Sequence, residues 1–397
     1  MDSYLWALNM NSFKPLCDYA IKMRTTLFDF DMSLISDKEE ITEKQSLING
    51  LKEAVAQEDL KAIKREIANI ISNLKKSSKN AYPIEEESCS KLGMSFDSVI
   101  ENLEQALGAY TPERSRYYLN RLIKTLTTEK IGRINDLDMN RWKDYKDIIT
   151  DSLWVMEKRD RTGAHNAGYW GNFIPQIPQQ LLKRYTKKND WVLDTFVGSG
   201  TTLIECRRFG RNAIGIDLSK DALESARLNL SRENNTCDVK IEFVNADSTT
   251  VSYRELLQKY NISSVQLVIM HPPYWDIIKF SENDRDLSNA ASVEVFLAGI
   301  RQIAEGVYQV LDKGRYLAVV IGDKYSKGEL IPLGFYTMNE IMKVGFKLKS
   351  TVVKNFEMTK GKQSQQELWR YRALIGGFYV FKHEYIFLFV PVVLGPD

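Results

Sequence analysis

The chain has 397 residues, 44% hydrophobic and 27% charged, with a formal net charge of +2. That is long enough for two domains, each with its own core. It is too evenly charged to announce a nucleic-acid binder, although a local basic face can hide inside an even total. Four cysteines (Cys17, Cys89, Cys206, Cys237) are scattered without zinc-ligand spacing and are too few for a disulfide scaffold, so a reducing, cytoplasmic setting is expected. The opening "MDSYLWALNMNSFK" lacks the basic start and apolar core of a secretion signal. The most apolar run, "YIFLFVPVVLG", is too short for a bilayer and contains a proline, which argues against a membrane span.

Up to about residue 150 the pattern is helical. Ile63, Ile67, Ile70, Ile71 and Leu74 recur at the three-and-four spacing of one helix face, with Lys and Glu between them. In "TPERSRYYLNRLIKTL", Thr111 is placed to cap a helix and Pro112 to open it, where its missing N–H does no harm. Residues 75–88, "KKSSKNAYPIEEES", read as a polar connector.

From about residue 190 the rhythm changes. Short β-rich runs appear, "WVLDTF", "NAIGIDL", "KIEFVNAD", "VQLVIMHPP", "RYLAVVIGD", "FKLKSTVVKN" and "EYIFLFVP", most of them separated by helix-like segments. Strand alternating with helix implies a parallel sheet covered on both faces, with ligands at the carboxyl ends of the strands. The last two runs lack an obvious helix between them. They are expected to form an antiparallel pair at the sheet's end, joined by residues 358–381. The expected architecture is an α/β domain over 151–397 preceded by an all-helical domain over 1–150.

Chemistry-bearing residues gather at the strand ends. In "VLDTFVGSGTT", Gly198 and Gly200 let the backbone turn tightly at the start of a helix whose free N–H groups face a ligand. Alone this is a weak signal, since many strand-to-helix turns use two glycines. The next strand, however, ends on Asp217, where a carboxylate can take both hydroxyls of a ribose. The third ends in "FVNAD", offering Asp247 to an adenine amino group, and the fourth in "HPPY".

"DTFVGSGTT" followed by Asp217, Asp247 and "HPPYW" resembles the DNA amino-methyltransferases, which use S-adenosylmethionine to methylate adenine N6 or cytosine N4. The usual forms in that family are D-P-F-x-G-S-G-T-T and [DNS]-P-P-[YFW]. Upstream, "GNFIPQIPQQLLKRYTKKNDWVLD" resembles the segment that closes over the methionine part of the cofactor. The resemblance covers roughly residues 165–391. It implies a Rossmann-like methyltransferase sheet and a cofactor site drawn from Phe173, Ile174, Pro175, Asp194, Phe196, Gly198, Ser199, Gly200, Thr201 and Thr202, with Asp217, Leu218, Asp247 and Ser248. The catalytic turn would be His271, Pro272, Pro273 and Tyr274, with no metal.

Two residues depart from the pattern: Thr195 stands where proline is usual, and His271 where Asp, Asn or Ser is usual. An exocyclic amino group is a poor nucleophile because its lone pair is delocalised into the ring. Acceptors for its two N–H bonds draw it towards tetrahedral geometry and align it for transfer. A neutral imidazole has one acceptor nitrogen and a protonated one has none. The Pro272 carbonyl would supply the second acceptor and Tyr274 would stack on the base. Activity should then fall on acidification through the histidine's pKa, and a flat profile between about pH 5 and 8 would argue against this role. The competing reading makes His271 a hydrogen-bonded turn residue in an inactive relative.

The other two histidines attract plainer readings: His165 as a loop residue and His383 as structural. A cytosine-C5 mechanism needs a cysteine nucleophile, in that family just after proline, and no cysteine here follows one.

A base inside a duplex cannot reach such a pocket, so the resemblance implies flipping or a single-stranded DNA target. Candidate substrate contacts are Trp275, next to Tyr274, and Lys279 in the 276–292 insertion, with Lys362, Trp369, Arg370 and Arg372 in the 358–382 stretch, where cations alternate with aromatics, including Lys360 and Lys382. An amphipathic surface loop explains that stretch equally well. The helical half, with Arg114, Arg116, Arg121, Lys124, Arg141 and Lys143, is a candidate for target recognition or homodimerisation, against the plainer reading of a solvated face. A cognate restriction endonuclease would be a natural partner. Rival readings are an RNA guanine-N2 or protein-glutamine methyltransferase, or a non-catalytic nucleic-acid-binding subunit.

Overall fold

The computed structural model describes residues 32–79, 94–165, 171–326, 328–356 and 366–392. The chain divides into two compact units. One comprises the described residues up to Lys130 with Asp138–Tyr145; the other comprises Ile131–Leu137 with the described residues from Lys146 onward.

The first unit is helical, with α1 (Met32–Ala56), α2 (Leu60–Lys79), α3 (Phe96–Leu107), α4 (Pro112–Thr127) and a 3-10 turn at Met139–Asp144. Ile63 and Ile67 are fully buried with Leu51, Val99, Leu103, Leu119 and Leu122 in one core, on which Ile70, Ile71 and Leu74 pack. Thr111 accepts the Arg114 N–H at 3.2 Å and starts α4. Residues read as the start of a connector at 75 continue α2 to Lys79, while 80–88 lie outside the described residues.

Several basic residues offered for a target are committed internally. Arg116 donates to the carbonyls of Val55, Gln57 and Glu58, closing the end of α1. Arg121 donates to Asn102 and Gln105. Arg141 pairs with Asp144, whose carboxylate also takes Ser95 and Ser98 at the start of α3.

The second unit is α/β. Its strands are β1 (Leu153–Trp154), β2 (Trp191–Asp194), β3 (Asn212–Asp217), β4 (Ile241–Asn245), β5 (Val265–Met270), β6 (Leu311–Ile321), β9 (Phe346–Asn355) and β10 (His383–Pro391), in the spatial order β1-β9-β10-β6-β5-β2-β3-β4. A two-stranded ribbon, β7 (Lys324–Ser326) with β8 (Glu329–Ile331), stands apart. From β2 the chain builds outward to β3 and β4, then returns to place β5 and β6 on the other side, so β2 and β5 flank the point where the order reverses. Such a reversal opens a crevice at the carboxyl ends of the strands.

The predicted antiparallel pair exists but is not terminal. β10 runs antiparallel between β6 and β9, and β1 adds parallel to the far side of β9. A helix, α11 (Gln366–Gly376), occupies the connection in which none was expected.

Alternation along the strands divides the core into two layers. Leu193, Ile214, Ile216, Val268, Met270, Leu317 and Val319 face α8 (Tyr253–Lys259), α9 (Val293–Tyr308) and α10 (Leu333–Lys343). Val192, Ala213, Leu267, Ile269, Ala318 and Val320 face α5 (Gln176–Tyr185), α6 (Thr201–Arg208) and α7 (Lys220–Leu230). Full burial on both faces is why these strands read as continuous apolar runs. On α9, Phe296, Ile300, Ile303 and Val307 are completely buried, each such side chain contributing about 1.5–3 kcal/mol. No helix among the described residues is long and apolar enough to cross a membrane.

A candidate active site at the carboxyl edge of the sheet

Asp194 ends β2 in the core, where its carboxylate accepts the Phe196 N–H at 2.9 Å. Burial pushes its pKa up to about 6. It supports the turn from beneath rather than facing the crevice. Gly198 and Gly200 both have positive φ, at 51° and 88°. The Gly198 N–H donates to Asp217 Oδ2 at 2.8 Å, tying the turn to the end of β3. A Cβ at Gly200 would sit 3.0 Å from the Ala226 Cβ, so the turn needs glycine for space as well as for conformation.

The other oxygen of Asp217 accepts the Ser219 N–H at 2.9 Å. Burial raises its pKa, opposed by these backbone hydrogen bonds. Asp247 Oδ1 accepts both the N–H and the hydroxyl of Thr249, and Ser248 donates its hydroxyl to the Thr195 carbonyl at 2.7 Å.

At the end of β5, two prolines stop the strand where no ladder hydrogen bond is lost. The His271 ring meets the Phe173 ring edge-on, with centroids 4.7 Å apart. Its Nε2 lies 3.3 Å from the Tyr274 hydroxyl. That hydroxyl donates to Glu384 Oε2 at 2.8 Å, and Glu384 Oε1 accepts from the Lys354 ammonium at 2.8 Å. Burial drives the His271 pKa from 6.5 down to about 4; the Glu384 charge pulls it up and the Lys354 charge pushes it down. The imidazole is therefore neutral at ordinary pH. Burial, reinforced by Glu384, holds the Tyr274 phenol well above its usual range. Gly322, after β6, leaves room for the Tyr274 ring: a Cβ there would come within 2.9 Å of it.

These two ends line one cavity of about 700 Å³. From the glycine-turn end it is lined by the expected Phe196, Gly198, Thr201 and Thr202, with Asp217, Leu218, Asp247 and Ser248 along the strand ends. Phe173 and Ile174 close one side, and His271, Pro272, Pro273 and Tyr274 form the far end.

Several expected residues lie behind this wall. Pro175 starts α5, Ser199 accepts from the Asn172 amide, and Asp194 and Gly200 act from beneath the turn. Trp275 turns away: its indole N–H donates to the Ala290 carbonyl at 2.8 Å, and Lys324 sits over its ring at 4.1 Å while pairing with Asp276. Lys279 is exposed and paired with Glu282; the 276–292 insertion lines the cavity instead through Ile277, Ile278, Phe280, Arg285, Asp286 and Leu287. Trp369, Arg370 and Arg372 lie on α11, off the cavity wall, whereas Lys360 and Lys362 fall outside the described residues.

The other histidines gain detail. His165 is a loop residue whose side chain is buried, with Nε2 2.6 Å from Glu205 Oε1. His383 lies on the cavity wall, with Nε2 3.2 Å from the Tyr385 hydroxyl. The wall residues that were missed include Arg159, Lys354 and Glu384. Arg159 donates to the Phe173 carbonyl at 2.9 Å, and its Nη2 is buried without a partner among the described residues. No cluster among the described residues has the make-up of a metal site.

The N6/N4 family described as DNA methylase matches residues 127–228 and 265–392. This chain belongs to that DNA methylase family.

The matched stretches hold both ends of the methylase cavity. Among individual relatives, a type II methyltransferase of Streptococcus pneumoniae, M2.DpnII, is 39% identical over 103 residues, 25% of this chain and 35% of that protein. A type II methyltransferase of Methanocaldococcus jannaschii, M.MjaII, is 44% identical over 69 residues, 16% of this chain and 13% of that protein. A tRNA (guanine(10)-N2)-dimethyltransferase of the same organism is 31% identical over 128 residues, 30% of this chain and 36% of that protein. The match thus spans about a third or less of each relative's length.

Proposed function

We propose that this methylase transfers a methyl group from S-adenosylmethionine to the exocyclic amino group of cytosine (N4) or adenine (N6) in DNA. One observation carries the reading. The glycine turn with its two strand-end carboxylates and the His-Pro-Pro-Tyr turn open into a single cavity, large enough for a nucleoside cofactor and a planar base side by side.

The wall suits the cofactor chemically. Asp217 is placed for ribose hydroxyls and Asp247 for an adenine amino group. The buried Nη2 of Arg159, unpartnered among the described residues, is a donor for an amino-acid carboxylate. When bound, the cofactor supplies an electrophilic methyl group on a sulfonium.

At the far end, the neutral His271 nitrogen and the Pro272 carbonyl accept the two amino N–H bonds, aiming the nitrogen lone pair. The flat faces of Phe173 and Tyr274 and the rigid prolines hold the base. Because burial keeps His271 neutral down to about pH 4, its contribution is flat between about pH 5 and 8. The flat profile that the unperturbed pKa would have counted against the histidine is therefore the expected one, and the acid limb moves down towards pH 4.

The type II relatives support a restriction–modification setting with a cognate endonuclease. For the helical unit we propose target recognition or self-association, using the exposed Arg114, Lys124 and Lys143 beside Tyr117 and Trp142. On α11, Arg370 and Arg372 are proposed phosphate contacts and Trp369 a base contact. The test is incubation with methyl-labelled cofactor and, separately, duplex DNA, tRNA and protein. Label on DNA amino groups is expected; label on tRNA guanine alone would transfer the reading to the RNA class.

A further inference from the structure

The residues behind His271 form a closed account of protons. Lys354 and Glu384 are cross-strand partners in the β9–β10 ladder, and both are buried. Lys354 Nζ lies 2.8 Å from Glu384 Oε1, and Oε2 of the same carboxylate receives the Tyr274 hydroxyl at 2.8 Å. The ion pair keeps the carboxylate an acceptor on both oxygens.

A phenol has one proton. The shorter, charge-assisted contact to Glu384 takes it, so the Tyr274 oxygen offers His271 only a lone pair across their 3.3 Å contact. A neutral imidazole has one N–H and one lone pair. The N–H must therefore sit on Nε2, facing Tyr274, and the lone pair on Nδ1.

We propose that Glu384, paired with Lys354, acts through Tyr274 as a positioning residue that fixes the His271 tautomer, leaving Nδ1 as the acceptor for the target amino group. An Asp, Asn or Ser at this turn presents an oxygen that accepts without help. A histidine accepts only in one of two tautomers, and in the other it would turn an N–H towards the amino group. The buried Glu–Lys pair removes that choice. Its purpose rests on the amino-transfer reading above; its geometry does not.

The experiment is nitrogen-15 NMR on histidine-labelled full-length protein near neutral pH, where two-bond couplings distinguish a protonated from an unprotonated ring nitrogen. The chain has three histidines, and His271→Ala assigns the signal. Wild type is expected to carry the proton on Nε2. Tyr274→Phe should release His271 to a tautomer mixture, and Glu384→Gln, whose amide can donate to the phenol oxygen, should move the proton towards Nδ1. Should Glu384→Gln fail to fold, the pair Glu384→Gln with Lys354→Met removes both buried charges together and should show the same shift. Turnover of Glu384→Gln should fall at least tenfold while cofactor affinity stays within twofold.

A wild-type proton on Nδ1 would overturn the proposal. So would Glu384→Gln and Tyr274→Phe both keeping the Nε2 proton, or a shifted tautomer with unchanged turnover. Because the NMR arm needs no methyl acceptor, a failure of the DNA-methylation reading leaves it standing on its own result.

Discussion

The two ends of the cavity are built on different principles. The glycine-turn end is made of backbone: N–H groups at positive φ, a helix start, and carboxylates anchored by main-chain donors two residues away, with one further donor 19 residues off. The His271 end is made of side chains recruited from afar; Tyr274 and Glu384 are 110 residues apart in sequence. Backbone sites tolerate little change in shape. Side-chain sites tolerate changes in shape but depend on which atom carries a proton.

The sharpest way to break that comparison is at His271. Truncation to Ala should lower kcat by about 10²–10³-fold, the scale of one lost transition-state acceptor, with cofactor affinity unchanged in a binding titration. His271→Asn, which restores an oxygen, should recover part of the loss. At the other end, Gly200→Val should cost about 2–4 kcal/mol of stability, from a β-branched residue at positive φ pressed against Ala226, seen as a lower melting temperature.

Asp217→Ala should weaken cofactor binding about 10–100-fold through loss of charged hydrogen bonds, while kcat at saturating cofactor moves little. If Asp217→Ala lowered kcat as much as His271→Ala did, the division of labour would be wrong.

Smaller effects sharpen the picture. The His271 pKa is depressed in the folded state, so the unfolded chain binds the proton more readily. This contribution to stability is present above about pH 6.5 and is lost as pH falls towards 4, whereas kcat stays flat down to about pH 5 and falls only towards pH 4. A pH series of melting curves and rates checks both. The smallest effect belongs to α11. Arg370→Ala with Arg372→Ala should weaken DNA binding without changing cofactor affinity and reduce the salt slope by about 2.

The same contrast explains what the sequence made legible. Buried parallel strands announce themselves as apolar runs, and a backbone site is local, so Gly198, Asp217, Asp247 and His271 could be picked out at the strand ends. β1 is two residues long and carries no pattern of its own; it is found only because β9 offers it an edge. α11 leaves Leu368, Tyr371, Leu374 and Ile375 exposed, so it lacks the one-sided burial that marks a helix in sequence.

Lys354 and Glu384 looked like ordinary strand charges, since nothing local to either shows that the ladder pairs them behind Tyr274. The basic residues of the helical unit show the converse. Arg116, Arg121 and Arg141 could be named as candidates for a partner surface or as a plain solvated face, and nothing local to them shows that each is bound to its own unit.

A structure of the protein with S-adenosylhomocysteine and a short target duplex would measure the central geometry directly. The expected result is a flipped base between Phe173 and Tyr274, its amino nitrogen within hydrogen-bond reach of His271 Nδ1 and the Pro272 carbonyl and facing the cofactor sulfur. A base seated elsewhere, or an imidazole nitrogen bearing a proton towards that amino group, would contradict it.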